Sequence, residues 1–474
     1  MRTLDLTIIA LYLLAMLGIG AWYGRRQRRV DEFFVGDRRM GAWHIGLSVV
    51  ATDVGGGFSI GLGGLGFAMG LAGSWLLFTG LVGAWVSAVL LIPRVKRLGD
   101  AHGWLGYPDF LEARYDGRVA LVAAVVSGIG YAGFVGAQIL AGAKLSSAAF
   151  GIDLPLAVGI MAVVVVVYTS LGGMQAVVMT DTIQWGVLLG GLAFVAVPCA
   201  WVEVGGWEGM RAALPASHFD LGNITLVQAL TWAATIIPIW FVGMTLYQRI
   251  FATRDLRAAR RAWYLAGLLE YPVMAFLGVG LGMAARVVFP DAEPELGLPL
   301  LISHTLPVGV VGIVLAAYFS AIMSTADSCL LASVGNLVHD LYQRRLAPQA
   351  AERRVLLLGR LASVVVGAAS VSVALLLPRV LDAVLLAYAF MVSGLFAPTI
   401  VGLLWRRASA LAALASMILG GGAAVLLTLV PSLDPFGEPI LLALPLSLVV
   451  MVGLSAVSPA APSAVTTSPS KDPT

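Results

Sequence analysis

The sequence predicts an all-α polytopic membrane protein with about thirteen transmembrane helices, and three observations carry that prediction. Of the 474 residues, 59% are hydrophobic and only 12% are charged, where a soluble globular chain carries roughly 25% charge. Apolar stretches recur from end to end, and each exceeds the roughly 18 residues that a helix needs to cross a hydrocarbon layer of ~30 Å. Lys and Arg fall almost entirely into alternate loops. A water-soluble enzyme is excluded, and so is a β-barrel, whose segments would be short and alternating in hydropathy.

In order, the spans are predicted at residues 5–24, 42–70, 72–93, 119–148, 152–171, 183–204, 223–248, 262–288, 303–335, 355–377, 383–405, 408–430 and 438–457. The first run has no small-residue cleavage site and is followed by Arg25, Arg26, Arg28 and Arg29. It therefore reads as a helix anchored with its N-terminus outside rather than as a signal peptide. If the spans alternate, the inner loops hold six Lys and Arg (25–39), five (94–118), five (249–261), five (344–360) and two (406–407), and the tail holds Lys471. The outer side keeps only Arg2, Lys144, Arg211, Arg286 and Arg379. That asymmetry predicts a cell (inner) membrane protein with its N-terminus outside and its C-terminus cytoplasmic. Residues 1–457 are expected to form the transmembrane domain. Residues 458–474, rich in Pro, Ser and Thr, are expected to form a disordered cytoplasmic tail.

Several function classes drop out. The sequence holds no GxxxxGK[ST] phosphate loop, so ATP is not an expected partner. The basic clusters sit beside spans without interleaved aromatics, so nucleic acid is not expected either. Cys199 and Cys329 lie inside apolar runs and read as packing residues, not as a disulfide. Neither catalytic residues nor an organic cofactor are expected. The chain either conducts passively or couples one gradient to another.

The informative residues are those that a lipid-facing helix avoids. In the second span (SVVATDVGGGFSIGLGGLGFAMG, 48–70), Asp53 immediately precedes the stretch holding Gly55, Gly56 and Gly57. Each glycine weakens a helix by ~1 kcal/mol relative to Ala, and a carboxylate near mid-depth costs at least ~2.5–3.5 kcal/mol. An unwound backbone here frees carbonyls and amides that must face protein or water; close glycine packing, with Asp53 bonded to a neighbouring helix, is the alternative. The seventh span, with Trp232, Pro238, Trp240 and Gly243, is also interrupted. Two interrupted spans in corresponding places point to an inverted-repeat transporter with its site at the midplane. Here they imply core repeats of approximately 42–204 and 223–405. In the ninth span (YFSAIMSTADSCLLASVGNLVHDLY, 318–342), Ala321, Ser324 and Thr325 stand at i, i+3 and i+4 on one helix face. One carbonyl and two hydroxyls are hard neutral ligands suited to an alkali cation, though Ser and Thr also commonly bond their own helix carbonyls.

Taken together, GDRRMGAWHIGLSVVATDVGGG (36–57), YTSLGGMQAVVMTDTIQ (168–184), YQRIFATRD (247–255), AIMSTADS (321–328) and HDLY (339–342) resemble the sodium/solute symporter family, which includes bacterial proline and sugar symporters. The resemblance covers nearly the whole chain, and the thirteen-span count agrees with the proline-symporter branch. It implies a five-plus-five inverted-repeat core with discontinuous helices at the midplane. It also implies a sodium site between the broken first core helix and the eighth. The ligands it implies are the backbone oxygens of Ala51, Val54 and Ala321 and the hydroxyls of Ser324 and Thr325. Asp53 matches the carboxylate that proline-type symporters need for sodium coupling. Asp181 resembles a carboxylate on the inner sodium-release route, and a helix N-cap facing the cytoplasm is the competing reading. The sugar-transporting branch has a glutamine where this chain has Phe58, and a tyrosine gate where it has Thr245.

Those departures argue against a sugar. Phe58, Phe134, Trp240 and Thr245, with the freed amides of Gly55, Gly56 and Gly57, would suit a compact solute with an apolar part and a carboxylate. Glu270 in the eighth span is left open: it could meet a cationic group, pair with a buried donor, or lie near the interface. The leading function is sodium-coupled symport of a small organic solute such as an amino acid or organic acid. The alternatives are proton coupling through Asp53, a solute sensor of the same fold, and a passive channel.

Overall fold

The computed structural model describes residues 3–24, 38–171 and 174–461. In chain order the helices are α1 (Thr3–Gly24), α2 (Ala42–Asp53), α3 (Gly56–Met69), α4 (Trp75–Leu90), α5 (Ile92–His102), α6 (Tyr107–Arg114), α7 (Gly117–Phe150), α8 (Leu154–Leu171), α9 (Met174–Gly191), α10 (Val197–Glu203), α11 (Gly206–Ala213), α12 (Leu226–Val242), α13 (Met244–Ala252), α14 (Leu256–Leu269), α15 (Phe276–Val288), α16 (Pro294–Thr305), α17 (Val310–Val334), α18 (Glu352–Leu376), α19 (Val380–Leu404), α20 (Ala410–Leu429) and α21 (Ile440–Val457). π-Helical segments at Leu192–Ala196 and Glu270–Ala275 join α9 to α10 and α14 to α15, and a third at Gly335–Leu346 prolongs α17. Among the described residues the one bridge of β type links Met40 to Thr253.

Nine of the described helical stretches are long and apolar enough to cross a bilayer, or ten if α12 and α13, bent by 43°, form one span. The expected thirteen are not reached by this measure. Thr3–Met16 and Leu154–Val167 are apolar but shorter, α2 is cut short at Asp53, and Gly57–Leu90 counts once where two spans were expected. Two boundaries move for clear reasons. The ninth span begins at Val310 instead of 303, because Pro307 and Gly309 (φ +86°) separate it from α16. The sixth begins at Met174 instead of 183, so the polar stretch around Asp181 lies inside the helix. The predicted breaks in the second and seventh spans fall at Val54–Gly55 and at Gly243.

α17 is the central span. In its most apolar window 89% of residues are buried inside the protein, against 28% for α18. It packs on α1, α2, α3, α7 and α9, while α7 also carries α18 and α19. Polar side chains fix the ends of these helices. Asp5 of α1 accepts the backbone amides of Gly309 (2.7 Å) and Gly312 (3.3 Å), which satisfies donors left open where α17 begins. Glu295 does the same for Val380 and Leu381 at the start of α19 (2.9 and 3.1 Å) and also holds Lys144 at 2.8 Å. Arg114 closes the far end of α19 by donating to the carbonyls of Gly402 (2.7 Å) and Trp405 (2.9 Å). Lys96, Arg114, Lys144 and Arg249 are therefore buried, although the loop count treats all four as solvent-side charges. Each has found a carboxylate or a set of carbonyls inside the protein. Arg25, Arg26, Arg28 and Arg29, Gly172 and Gly173 of the signature, and nearly all of the predicted tail lie outside the described residues.

Candidate functional site

The break between α2 and α3 sits directly against α17. Thr325 Oγ1 donates across to the Ala51 carbonyl at 2.9 Å and lies 3.1 Å from the carbonyl of Ala321. Ser324 Oγ reaches the same Ala321 carbonyl at 3.3 Å. Ala51, Ala321, Ser324 and Thr325 are all buried, and Val54 is buried beside them with its carbonyl 3.5 Å from Ser59 Oγ. Gly55 permits this approach, because a Cβ there would stand 1.7 Å from Thr325 Oγ1. Four of the five expected ligands thus converge as neutral hard oxygens from two helices, a donor set that fits a small alkali cation. Helix unwinding supplies the free carbonyl on one side and the i, i+4 hydroxyl supplies the other.

One turn along α17 lies a buried polar network that the sequence did not reveal. Arg249 Nη2 is 3.2 Å from Asp181 Oδ2, and neither side chain has any exposed surface. Arg249 also donates to Ser48 Oγ (3.0 Å), Ser328 Oγ (3.0 Å), Thr52 Oγ1 and the Thr245 carbonyl (3.2 Å). Ser48 in turn donates to Asp181. Asp181 is therefore interior to α9 and is not an N-cap facing the cytoplasm. Asp327, also buried, faces the Asp181–Arg249 pair, and its Oδ1 has no hydrogen-bond partner among the described residues. The network ties α2, α9, α13 and α17 together beside the cation ligands, and Ser324 faces the same Asp181 carboxylate.

On the other side of the break, Asp53 Oδ1 accepts from Tyr388 Oη at 3.3 Å. The Tyr388 ring stacks on Phe134 (centroids 4.9 Å apart, 21°) and meets Phe58 at 6.2 Å. Tyr131 and Thr245 share a hydrogen bond of 3.0 Å. Phe58, Phe134 and Thr245 are thus gathered around the break. Trp240 is not part of the Tyr388 cluster: it lies against Gly83 of α4 and packs edge-on against Trp263. Gly56 opens α3. The Gly57 amide is occupied by Gln138 Oε1 at 3.1 Å. Glu270 is fully buried and opens the π-helical segment between α14 and α15, with its carboxyl facing Asp53. This excludes the interfacial position left open for it.

A family model described as the sodium:solute symporter family matches residues 33–420. The chain belongs to the sodium:solute symporter family. It is therefore a multi-pass membrane transporter-family protein and not an enzyme. The osmoregulated proline transporter OpuE of Bacillus subtilis is 29% identical over 435 residues, covering 87% of this chain and 86% of that protein. Sodium/glucose cotransporter 2 of Rattus norvegicus is 28% identical over 78% of this chain, and sodium/glucose cotransporter 4 of Mus musculus is 30% identical over 76%. The chain spans only 62% and 58% of these two longer proteins. In fold, it is similar to a solved Na+-coupled sialic acid symporter in a substrate-bound outward-open state. That match has a TM-score of 0.80 and 21% identity, over 97% of this chain and 99% of the other. Mhp1, a nucleobase-cation-symport-1 family transporter, matches with a TM-score of 0.60 and 15% identity over 91% of this chain and 97% of that one.

Sequence reasoning missed Ser48, Thr52, Gln138, Arg249, Asp327, Ser328 and Tyr388. For Asp327 and Arg249 the signal was present, since both are charges at the edge of or inside apolar runs. The others are ordinary residues of any helix, and only packing brings them together.

Proposed function

We propose that this family member is a sodium-coupled symporter that carries a small organic solute into the cell by alternating access. The observation that carries the proposal is the oxygen cluster of Ala51, Ala321 and Thr325, because it bridges a broken helix and an intact one. A cation bound there tethers α2 to α17, and its loss lets the two separate. Sodium entering first would order the break, pre-form the solute pocket and stabilise the outward-open state; each ligand would then raise the other's affinity by a coupling free energy of roughly 1–3 kcal/mol. Val54 and Ser324 complete the proposed ligand set, Asp53 offsets the buried charge, and Asp181 lies on the inward exit route.

The proposed solute site has Phe58, Phe134 and Thr245 beside the break at Gly55, Gly56 and Gly57, and Trp240 reaches it only from the α4 side. The named relatives carry solutes as different as proline and glucose, so they do not choose it. The architecture that goes with this function is a pair of inverted repeats, 42–204 and 223–405, with the N-terminus outside, the C-terminus cytoplasmic and the protein in the cell membrane. The test is uptake into proteoliposomes. An inward sodium gradient is expected to drive accumulation of a solute that stabilises the purified protein only in sodium. Uptake that follows a pH gradient and ignores sodium would replace the sodium coupling by proton coupling through Asp53.

The orientation has its own test. Cysteines introduced at Ser217 and Gln349, both exposed, in a background lacking Cys199, should react with impermeant thiol reagents from outside and inside respectively. Labelling of both from one side would overturn the thirteen-span arrangement.

A further inference from the structure

The carboxyl of Glu270 is a buried, costly group that none of the preceding functions uses. It is fully buried, and among the described residues neither Oε1 nor Oε2 receives a hydrogen bond. The group facing it is a second buried carboxyl, that of Asp53. Neither has an ion-pair partner among the described residues, and the buried cation Arg249 is taken up by Asp181. Two facing carboxylates without a cation repel each other strongly in a low-dielectric interior. The sodium ligands account for one positive charge near Asp53. The pair therefore needs either a shared proton or a second positive charge beside Glu270.

The surroundings indicate what would supply it. Glu270 Oε2 lies against Gly80 of α4, and one turn later Trp240 lies against Gly83, so the carboxylate and the indole face the same surface of that helix. Among the described residues, Trp240 Nε1 is buried without a hydrogen-bond partner, and so is Gln138 Nε2, whose Oε1 holds the Gly57 amide. Buried, unsatisfied donors and acceptors are costly and rare in folded proteins. Here the unsatisfied acceptors belong to an anion, whereas the unsatisfied donors are neutral. A ligand that completes both carries a cationic donor at one end and an acceptor at the other, while Phe58, Phe134 and Tyr388 form an apolar wall.

The approach to the site has the matching charge. A cavity of about 390 Å³ is lined by Glu293, Glu295, Asp382 and Glu438 and by Arg379; Lys144 pairs with Glu293 and Glu295 from behind, and an excess of acidic charge remains. The cavity is also lined by Gly61 and Gly64 of α3, Trp232 of α12 and Leu385 of α19. Phe58 and Tyr388 lie on two of those same helices, three residues deeper than Gly61 and Leu385, which is about 4.5 Å along each axis. An acidic funnel above a buried acidic pair concentrates cations and repels anions.

We infer that the transported solute bears a protonated amine, which binds between Glu270 and Asp53 while its acceptor end meets Gln138. This rests on the symport reading above and supplies its solute class. It also changes the sequence-based expectation, in which a carboxylate of the solute faced the freed glycine amides.

Thermal unfolding of the purified full-length protein tests it, using matched probes that differ only in the amine: proline against cyclopentanecarboxylate, γ-aminobutyrate against butyrate, and ethanolamine against ethanol, with glucose alongside. In sodium, at least one amine is expected to raise the unfolding temperature while its deaminated twin does not. Glu270→Gln should weaken that amine's apparent affinity by at least about 30-fold, the low end for losing one partner of a buried charge pair. It should leave stabilisation by sodium alone in place. Stabilisation by a deaminated twin or by glucose but by no amine overturns the inference. So does a panel in which sodium acts and no amine does, since a proton held between the two carboxyls then fills the place of the second cation. The wild-type comparison decides the matter even if Glu270→Gln does not fold. Failure of the symport reading looks different: sodium then has no effect on wild-type stability or on the binding of any probe.

Discussion

Arg249→Met is expected to cause a large loss of stability. The change removes the guanidinium that meets Asp181, Ser48, Thr52, Ser328 and the Thr245 carbonyl, and leaves a fully buried carboxylate with no cation beside it. Breaking a buried pair by removing one partner costs about 3–5 kcal/mol, well above the ~1 kcal/mol typical of a point mutation. The unfolding temperature of the purified protein should fall accordingly. Adding Asp181→Asn should restore part of the loss, because an amide tolerates the same site without a charge. If the two effects simply add, with no recovery in the double variant, then Arg249 and Asp181 are not energetically paired and the network is incidental. Sodium affinity gives a second readout, because Thr52 and Ser328 lie on the two helices that the cation would tether.

Gly55→Ala is expected to abolish sodium-dependent uptake while the protein still inserts and folds. The added methyl group would coincide with Thr325 Oγ1, so α17 must draw back from the break and the ligands separate. Thr325→Ala removes one ligand without moving the helix. Losing one polar contact in a buried site costs about 1–3 kcal/mol, so the sodium concentration for half-maximal uptake should rise roughly 5- to 150-fold. Saturating sodium should recover part of the rate in Thr325→Ala and in Ser324→Ala, and none in Gly55→Ala. Asp53→Asn should be harsher than either hydroxyl loss, because its hydrogen-bonding shape remains but its charge is gone. Unchanged sodium dependence in Gly55→Ala and Thr325→Ala together would place the cation elsewhere.

The candidate site was legible in part, and the parts that were legible share a physical basis. Asp53 beside three glycines announces itself, because a carboxylate and a weakened helix in an apolar run are both local costs. The 321–325 face follows from helical spacing alone. Asp181 was visible as a polar residue, but the competing reading of it as a cap rested on a helix start placed at 183 instead of 174. Arg249 and Lys144 were counted with the loops, since charge next to an apolar run looks the same whether it faces water or a buried carboxylate. Glu270 could not be placed by any local signal.

The sequence by itself determined the class of the protein, the breaks in the second and seventh spans, and the 321–325 face of α17; that this face meets the first break was implied by the family resemblance. Hydropathy, glycine content and i, i+4 spacing act over a few residues, so they can be read without the fold. Tertiary structure alone decided which charges are paired. Asp181 meets an arginine 68 residues away, and Asp53 meets a tyrosine 335 residues away. A buried charge is tolerated or unstable according to what stands opposite it, and that partner comes from another helix. The same reason leaves Glu270 a buried carboxyl to which the described residues offer no cation.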